Sequence, residues 1–352
     1  MNTCFKRNKL LIKSFLKNFL NQKKRPFSKV NQWGYDLLKR VFYFSVQGKM
    51  IRGGLILLSY EMFKKKIDTA AVRMAAAMEL VHSALLIHDD IMDHDDVRRG
   101  DKTIYAQYQD IGAGVRTKDP LHFGESMGIC VGDVIFFLSN ELISSIPVQA
   151  GIKELIMRYW SEELAKVGTA QMQDIYFAIT KEILRERDIL NMYRYKTARY
   201  TFSLPLVLGA MAAGQKKQIL SRLEQLGENL GILFQIKDDE IGLFGREEDT
   251  GKPVGSDIKE NKKTLYHYYL FKNLSGTKDH PLKDLFGREK ITSSMVHEIR
   301  SFIILSGVKN IIDKKMQLLE KRSKKMIQTL PVPVGYKNIL HELVEFNMNR
   351  RS

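Results

Sequence analysis

The chain has 352 residues, of which 44% are hydrophobic and 27% charged, a composition typical of a globular protein with a large core and not of a disordered chain. Its two cysteines, Cys4 and Cys130, are too few to staple a chain of this length and suggest a reducing compartment. No charge-free stretch of about 18 residues is apolar enough to span a bilayer. Lys13 and Lys17 interrupt the N-terminal apolar segment, where a secretory signal would be continuous.

Much of the net charge of +16 lies at the N-terminus, where residues 1–35 contain nine Lys or Arg and no Asp or Glu. Phe15, Leu16 and Phe19 stand among lysines at helical spacing, which predicts an amphipathic basic helix. Three roles are open for residues 1–30: weak contact with an anionic membrane surface, packing on the body of the protein, and an organelle transit peptide. Because basic proteins also bind nucleic acid or diphosphates, charge alone does not select a partner.

Apolar residues with a period of 3.6 predict an almost wholly helical chain. Helices are expected at residues 34–46, 50–64, 69–93, 125–146, 151–178, 182–193, 194–213, 217–243, 263–273, 293–305, 309–328 and 336–349. Loops are expected where Gly, Asp, Lys and Pro gather, at residues 98–103, 108–124, 245–262, 274–288 and 330–335. Since no linker or repeat divides the chain, we expect a basic segment, residues 1–35, followed by one large all-α domain, residues 36–352.

An acidic cluster closes the apolar helix predicted at residues 69–93. Asp89 and Asp93 stand four residues apart on one helix face, with Asp90 beside them. Like charges at this spacing cost a helix roughly 0.2–0.5 kcal/mol, and a helix C-terminus disfavours carboxylates. A bound cation would offset both costs, and carboxylate oxygens suit Mg²⁺. A solvated acidic loop is the alternative.

A second acidic pair, Asp238 and Asp239, closes the apolar helix predicted at residues 217–243. Gln235 and Gly242 lie on the same helix face as this pair. If the two acidic helix ends oppose each other across a cavity, they could hold several Mg²⁺ ions around one diphosphate. Taken alone, this segment could also be a solvated helix end.

Basic residues accompany both acidic clusters, and the pairs are Lys49 with Arg52, Arg98 with Arg99, and Lys252 with Lys262. Arginine matches diphosphate oxygens with a planar fork, and lysine supplies a compact charge. Each pair alone is commonly a solvated surface feature. Together with two carboxylate clusters, they indicate a site that binds one diphosphate through metal and another through Lys and Arg.

The order of these motifs resembles the trans-isoprenyl diphosphate synthase family, which includes geranylgeranyl and farnesyl diphosphate synthases. The matching segments are Gly48-Lys49-x-x-Arg52, Asp89-Asp90-x-x-Asp93, Arg98-Arg99-Gly100, Lys196-Thr197, Phe234-Gln235-x-x-Asp238-Asp239, and Gly251-Lys252-Pro253 to Asn261-Lys262-Lys263-Thr264. The resemblance implies an isoprenoid-synthase fold with helices around a deep central cavity, and a homodimer. We also expect a cytoplasmic location, with a position at a membrane surface as the alternative, and no nucleic-acid partner. One departure is Gly242, which stands where the family usually has a third aspartate.

The resemblance implies a Mg²⁺-dependent prenyltransferase that joins isopentenyl diphosphate head-to-tail to dimethylallyl, geranyl or farnesyl diphosphate. Up to three Mg²⁺ ions would be held by Asp89, Asp93 and Asp238, with Asp90 and Asp239 as secondary members. The residues matching isopentenyl diphosphate contacts are Lys49, Arg52, His82 and Arg99, although a lone histidine in an apolar helix is commonly a core residue.

The remaining site residues follow from the same resemblance. Those matching contacts to the allylic diphosphate are Arg98, Lys196 and Lys252, with Lys262 a further substrate-binding residue. Thr197 and Gln235 would face the developing allylic cation and, with Lys196, form the catalytic group. Gln171 and Asp174 resemble a Gln and Asp pair that lines the cavity.

Product length is expected to depend on the helix before Asp89. In the family that the sequence resembles, short products go with a bulky aromatic residue four or five positions before this aspartate. Here those positions are Leu85 and Ala84, with Val81 further down and no Phe, Tyr or Trp between positions 70 and 88. We therefore expect geranylgeranyl diphosphate, with farnesyl or longer polyprenyl diphosphates as alternatives. Phe136 and Phe137 could supply a floor to the cavity, and Ala84 could be small merely for tight packing.

Three other functions compete with this interpretation. A class I terpene cyclase also uses an Asp-Asp-x-x-Asp motif, but it would not need Lys49 and Arg52 and would carry an Asn/Ser/Glu metal motif at residues 238–239. A non-catalytic subunit of a heteromeric synthase should have lost its acidic motifs. A basic membrane or RNA adaptor would suit residues 1–35 but would leave two acidic helix ends unexplained.

Overall fold

The computed structural model describes residues 2–180, 182, 184–245, 255–275, 280–288 and 290–350. This part of the chain is almost wholly helical, which confirms the all-α prediction. Its α-helices are α1 (Asn2–Ser28), α2 (Trp33–Gln47), α3 (Ile51–Lys64), α4 (Thr69–Met92), α5 (Ile104–Gly114), α6 (Pro120–Ser144), α7 (Ala150–Ile179), α8 (Glu186–Tyr193), α9 (Leu204–Ala212), α10 (Lys217–Phe244), α11 (Ser256–Lys259), α12 (Leu265–Asn273), α13 (Ser293–Leu305), α14 (Val308–Gln328) and α15 (Val334–Asn349). A π-helix spans Arg194–Ser203 and a 3₁₀-helix spans Pro281–Leu285. Strands β1 (Val97–Arg98) and β2 (Asp101–Lys102) form a short antiparallel hairpin.

The loop predicted at residues 108–124 is wrong over much of its length, because α5 and the first turn of α6 occupy it. Gly112 weakens the helical pattern of α5 in the sequence. In the fold, burial of Tyr105 and Tyr108 stabilises this helix, a tertiary effect that local propensity does not contain. Helix α11 and most of the β1–β2 hairpin also lie in segments predicted as loops.

Helix α6 begins at a capped turn and leaves one face uncovered. Asp119 accepts a hydrogen bond of 2.9 Å from the backbone N–H of His122, and Pro120 takes the first helical position. By length and composition α4 and α6 could each cross a membrane. The protein buries 72% of the apolar window of α4, which makes α4 a core helix, but only 44% of that of α6.

The chain divides into two compact units. The N-terminal unit contains Asn2–Met157 and Leu208–Gln215, and the C-terminal unit contains Arg158–Val207 and Lys216–Ser352. The expected division into residues 1–35 and a synthase domain of residues 36–352 stays a prediction.

Helix α4 is the centre of the N-terminal unit, and α6 packs closely against it through glycines. A Cβ added at Gly132 would lie 2.1 Å from Nε2 of His88, and one at Gly128 would lie 2.8 Å from Cδ1 of Ile91. The two glycines therefore leave room for the side chains of His88 and Ile91 between the helices. This packing supports the acidic end of α4.

Helix α1 packs on the N-terminal unit through its apolar face. Ile12 and Leu16 are fully buried and Phe19 is nearly so, whereas Phe15 is half-buried. Fully burying such a side chain stabilises a fold by roughly 1.5–3 kcal/mol. The packed-helix alternative for residues 1–30 therefore describes the structure, and most of the apolar face that a membrane contact would use is covered.

In the C-terminal unit the π-helix packs directly on α10. A Cβ added at Gly231 would lie 2.2 Å from Cα of Ala198, and one at Gly227 would lie 2.5 Å from Cα of Ser203. The guanidinium of Arg199, on the π-helix, binds carboxylates of α7 and α10. These contacts fix the segment that carries Lys196-Thr197.

Candidate active site

The acidic end of α4 carries aspartates in two different environments. The side chain of Asp89 is 26% exposed and Asp93 is half-buried, but that of Asp90 is only 1% exposed. Burial raises the pKa of Asp90 to about 7, against the opposing effect of Arg98. Within the described residues, Oδ2 of Asp90 has no hydrogen-bond partner. Asp89 and Asp93 are therefore the more accessible members of this cluster.

The two neighbouring arginines of the β1–β2 hairpin contact different parts of the N-terminal unit. Nε of Arg98 donates a hydrogen bond to Asp90, and its Nη2 lies 3.8 Å from Oδ2 of Asp89. Arg99, in the turn, has a φ of 57°. Its guanidinium lies so close to Gly48 that a Cβ there would be 3.0 Å from Nη2. The turn therefore separates one arginine at the acidic cluster from another at the Gly48 segment.

A cavity of about 200 Å³ in the N-terminal unit brings together residues from separate parts of the sequence. Its lining includes Lys49, Arg52, His82 and Arg99, the four residues that match isopentenyl diphosphate contacts. Three of them are basic side chains, one lysine and two arginines. An anion of high charge density, such as a diphosphate, is the ligand that this cavity suits.

His82 is a neutral hydrogen-bonding group in this cavity. Nη1 of Arg52 lies 3.0 Å from Nε2 of His82. Burial, together with the positive charges of Arg52 and Arg99, lowers the pKa of His82 well below its ordinary value. Because arginine can only donate, Nε2 is the accepting nitrogen. His82 therefore orients a cation of the cavity instead of adding charge to it.

Glu79 also lines this cavity, and the sequence analysis did not assign it a role. It is almost fully buried, and its Oε1 accepts a hydrogen bond of 2.7 Å from the backbone N–H of Gly53. Burial raises its pKa, opposed by this hydrogen bond and by the charges of Arg52, Arg99 and Lys9. A carboxylate three residues before His82 in an otherwise apolar helix was the signal that could have identified it.

The acidic end of α10 repeats the contrast between a buried and an accessible aspartate. Asp239 is buried and accepts hydrogen bonds from the hydroxyl of Tyr193 and from Nε2 of Gln235. Burial raises the pKa of Asp239 well above its ordinary value, although these hydrogen bonds oppose it. The side chain of Asp238 is 44% exposed and forms an ion pair with Arg350.

The π-helix carries the predicted catalytic residues Lys196 and Thr197. Oγ1 of Thr197 donates a hydrogen bond of 2.6 Å to Oε1 of Gln235, so these two side chains are adjacent. Lys196 forms an ion pair with Asp174 of α7. A π-helix is rare and frequently occurs at functional sites. The C-terminal unit thus places Thr197, Gln235 and Asp239 in one continuous chain of hydrogen bonds.

The position of the missing third aspartate is covered by another carboxylate. A Cβ added at Gly242 would lie 2.4 Å from Oδ2 of Asp257, so this glycine lets Asp257 approach the face that carries Asp238. Nζ of Lys262 lies 3.6 Å from Oδ1 of Asp257. The sequence analysis missed Asp257, which only the close approach reveals. Lys252 lies outside the described residues.

The residues predicted to set product length differ in exposure. Val81 and Ala84 are fully buried, and Leu85 is half-buried. Phe136 is half-buried with its ring 5.9 Å from that of His88, and Phe137 is 75% exposed. The effect of these residues on product length stays a prediction.

Both acidic helix ends fit Mg²⁺ by their donor chemistry. Their donors are carboxylate oxygens, including the unbonded Oδ2 of Asp90. In the part of the chain that the structure describes, no three His, Cys, Asp or Glu side chains form a ready-made metal site. Proteins commonly hold Mg²⁺ with one or two carboxylates together with the phosphates of a substrate. Arg98 at α4 and Arg350 at α10 now balance part of the negative charge.

The sequence matches the family described as polyprenyl synthetase over residues 35–303. It is 30% identical over 308 residues to a geranylfarnesyl diphosphate synthase of Aeropyrum pernix, with 86% of this chain and 90% of that protein covered. It is 30% identical over 316 residues to a geranylgeranyl diphosphate synthase of Sulfolobus acidocaldarius, with 88% of each covered. The fold is similar to that of a geranylgeranyl pyrophosphate synthase from Corynebacterium glutamicum complexed with isoprenyl diphosphate and magnesium, with a TM-score of 0.89, 24% identity, and 98% of this chain and 99% of that chain covered.

The chain belongs to the polyprenyl synthetase family. The resemblance to trans-isoprenyl diphosphate synthases, inferred from the ordered motifs, is confirmed, and with it the prediction of a prenyltransferase. The likeness to the solved structure confirms the isoprenoid-synthase type of fold. The roles of individual site residues stay predictions.

Proposed function

We propose that the protein is a Mg²⁺-dependent synthase that joins isopentenyl diphosphate head-to-tail to an allylic diphosphate and releases an all-trans prenyl diphosphate. The observation that carries this proposal is the 200 Å³ cavity lined by Lys49, Arg52, His82 and Arg99. Its histidine stands seven residues before Asp89 on α4. A cationic cavity and an acidic cluster on one helix suit a reaction between two diphosphates, one of which is bound through metal.

The accessible aspartates of the acidic helix ends are the proposed metal ligands. Asp89 and Asp93 of α4 and Asp238 of α10 would hold Mg²⁺, which when bound neutralises the leaving diphosphate and assists cleavage of the C–O bond. Asp90 and Asp239 are buried and hydrogen-bonded, so they would be secondary members of the two clusters. Up to three ions per site would be held, each by one or two carboxylates and by phosphate oxygens of the substrate.

The other side chains would bind, orient and stabilise. The cationic cavity would hold isopentenyl diphosphate so that its double bond faces the allylic carbon, which removes much of the entropic barrier. The oxygens of Thr197 and Gln235 would stabilise the positive charge that develops on the allylic carbons. Lys196, Lys252 and Lys262 would bind diphosphate oxygens, and the proton lost after condensation would pass to the released diphosphate.

We propose geranylgeranyl diphosphate as the main product. The aliphatic residues Val81, Ala84 and Leu85 on α4, and the absence of Phe, Tyr and Trp at positions 70–87, support a long tail channel. A relative that makes geranylgeranyl diphosphate and one that makes geranylfarnesyl diphosphate are equally similar to the chain. Farnesyl and longer polyprenyl diphosphates are therefore the alternatives.

We further propose that α6 forms the interface of a cytoplasmic homodimer. Leu121, Ile129 and Phe137 are 43%, 47% and 75% exposed and stand eight residues apart along this helix. Eight residues are about 2.2 helical turns, a rotation of about 80°, so Ile129 and Phe137 lie on the same exposed side of α6, and Leu121 is turned about 80° further from Phe137. Exposed apolar side chains along this helix favour a partner. Cys4 and Cys130 are free thiols, which suits a reducing compartment.

The direct experiment is a panel of starters. The full chain is incubated with isopentenyl diphosphate and dimethylallyl, geranyl or farnesyl diphosphate, with Mg²⁺ or with EDTA, and the products are analysed by mass spectrometry. We expect a diphosphate of twenty carbons with Mg²⁺ and none with EDTA. Cyclised hydrocarbons would instead indicate a terpene cyclase, and full activity in EDTA would contradict the proposal.

A further inference from the structure

The segment from Gly48 to Gly54, which carries Lys49 and Arg52, is held from outside by two residues of α1. Nζ of Lys9 donates a hydrogen bond of 2.8 Å to the carbonyl oxygen of Gly48. Nδ2 of Asn8 donates one of 3.2 Å to the carbonyl oxygen of Gly54. The two hydrogen bonds therefore fix the beginning and the end of the segment.

Apolar side chains of α1 also pack against the Gly48–Gly54 segment. A Cβ added at Gly53 would lie 2.8 Å from Cδ1 of Ile12, and one at Gly54 would lie 2.8 Å from Cδ1 of Phe5. Asn8 is completely buried. Since helix α1 touches the segment at both of these glycines, a displacement of α1 would displace the segment as well.

The segment has a conformation that needs such support. Met50 has a φ of 51°, in the left-handed region that non-glycine residues rarely adopt, and α3 begins at the next residue. Lys49 and Arg52 flank this start, where the helix dipole disfavours positive charge. In the absence of a bound anion, both the strained residue and the charge repulsion favour rearrangement of the segment.

Lys9 also contributes to the electrostatics of the cavity. Its positive charge acts on the buried carboxylate of Glu79, together with those of Arg52 and Arg99. Neither Asn8 nor Lys9 is among the described residues that line the cavity, so they act through the segment that they hold.

We propose that Lys9 and Asn8 of α1 are positioning residues of the isopentenyl diphosphate site, which hold the Gly48–Gly54 segment so that Lys49 and Arg52 are ready for the diphosphate. This inference rests on the proposed function, because it takes the cationic cavity as that site. It gives the basic N-terminal helix a role in substrate affinity. A helix that only stabilised the fold would affect all substrates and the melting temperature together.

The test compares Lys9→Met with Lys13→Met, a matched control at an exposed position one turn further along α1. We expect Lys9→Met to raise the Michaelis constant for isopentenyl diphosphate about tenfold, as for loss of a charge-assisted hydrogen bond. We expect the Michaelis constant for the allylic diphosphate and the kcat to stay within about twofold of the parent values. The melting temperature should stay within a few degrees of that of the parent. Lys9→Arg should restore most of the affinity, and Lys13→Met should change nothing.

Asn8→Ala is a second variant, for which we expect the same change in the Michaelis constant for isopentenyl diphosphate. If replacing the buried Asn8 unfolds the protein, Lys9→Met alone tests the proposal. An unchanged Michaelis constant for isopentenyl diphosphate in Lys9→Met, or an equal loss for both substrates, would reject the role of α1. Arg52→Ala is measured in parallel. If it too left this constant unchanged, the cavity itself would be wrongly assigned, and the proposed site would fall together with the inference.

Discussion

Nη1 of Arg52 lies 3.0 Å from Nε2 of His82 in the cationic cavity of the N-terminal unit. A neutral imidazole thereby orients the guanidinium group of Arg52 without adding a negative charge that would cancel its positive charge. We expect Arg52→Ala to raise the Michaelis constant for isopentenyl diphosphate about ten- to a hundredfold, because hydrogen bonds to charged groups contribute about 1.5–3 kcal/mol. Steady-state kinetics with each substrate varied in turn measures this. Lys64→Ala, exposed at the far end of α3, is the control. A raised constant for the allylic substrate alone would contradict the assignment.

The acidic helix ends should both be essential for turnover. Asp89→Ala at the end of α4, or Asp238→Ala at the end of α10, should each lower kcat by about two orders of magnitude or more, as expected when stabilisation of a leaving group is lost. Asp110→Ala removes an exposed carboxylate of α5 and should leave kcat unchanged. If either cluster variant kept the parental rate at saturating Mg²⁺, the corresponding helix end would not be part of the site.

Product length should respond to Ala84. Ala84→Phe places a ring one turn before Asp89, which should fill the tail channel and shift the products toward fifteen carbons or fewer. Because Ala84 is fully buried, overpacking of this kind also costs about 1–3 kcal/mol of stability. Mass spectrometry of products from a variant that still melts cooperatively is therefore the measurement. An unchanged product distribution would show that this face of α4 does not line the channel.

The C-terminal unit should depend strongly on Arg199. Its Nε and Nη2 bind the two oxygens of Glu163 at 2.7 and 2.9 Å, and the Glu163 side chain is 1% exposed. Burial raises the pKa of Glu163, but hydrogen bonds from Arg199 and Lys166 outweigh this effect and hold the pKa below its ordinary value. Arg199→Met leaves this buried charge with much less compensation and should lower the free energy of unfolding by about 3–5 kcal/mol.

Urea unfolding of the Arg199→Met variant measures this loss. The double variant with Glu163→Met should recover part of it, since no uncompensated carboxylate then remains at position 163. A loss below about 1 kcal/mol would mean that the network contributes no more than an exposed ion pair.

Acid should destabilise the fold through His267. This side chain stacks on Phe271 with a centroid distance of 4.0 Å, and burial followed by the charge of Lys263 lowers its pKa to about 3. The unfolded chain binds a proton at His267 below about pH 6.5, whereas the folded chain does not until about pH 3. Stability from this residue is therefore fully present above pH 6.5 and falls as the pH decreases, by about 2 kcal/mol between pH 7 and pH 5.

The variant His267→Phe keeps a ring in the stack and removes the titration. Urea unfolding at pH 7 and pH 5 should show a smaller acid-induced loss in this variant than in the parent, whereas His122→Phe at an exposed position of α6 should behave like the parent. Equal losses in the His267→Phe variant and in the parent would exclude His267 as the cause.

The sequence predicted most of the helices and the grouping of residues within each acidic helix end, because both depend on periodic patterns. Asp89 and Asp93, or Asp238 and Gln235, are neighbours in sequence and on one helix face, so their grouping follows from helix geometry alone. No periodic pattern in the sequence predicted that Lys49 and Arg99 line the same cavity. It followed from the family resemblance, and the structure now explains it by the turn of the β1–β2 hairpin.

Features that depend on tertiary packing could not be predicted. Helix α5 is stabilised by two buried tyrosines that its sequence does not mark as core. Asp257 reaches the end of α10 only because residue 242 lacks a side chain. Glu79 and Lys9 converge on the Gly48–Gly54 segment from different helices, and each alone looks like an ordinary charged residue of an amphipathic or apolar helix.

The most direct test of the central claim is the mass of the product formed from farnesyl diphosphate and isopentenyl diphosphate labelled with ¹³C at all five carbons. The full chain with Mg²⁺ should give a twenty-carbon diphosphate that contains five heavy carbons for each condensation. The same reaction with the Asp89→Ala variant should give none above background. If the parent protein left farnesyl diphosphate unextended, and likewise the shorter allylic starters, the assignment as a prenyl diphosphate synthase would be contradicted.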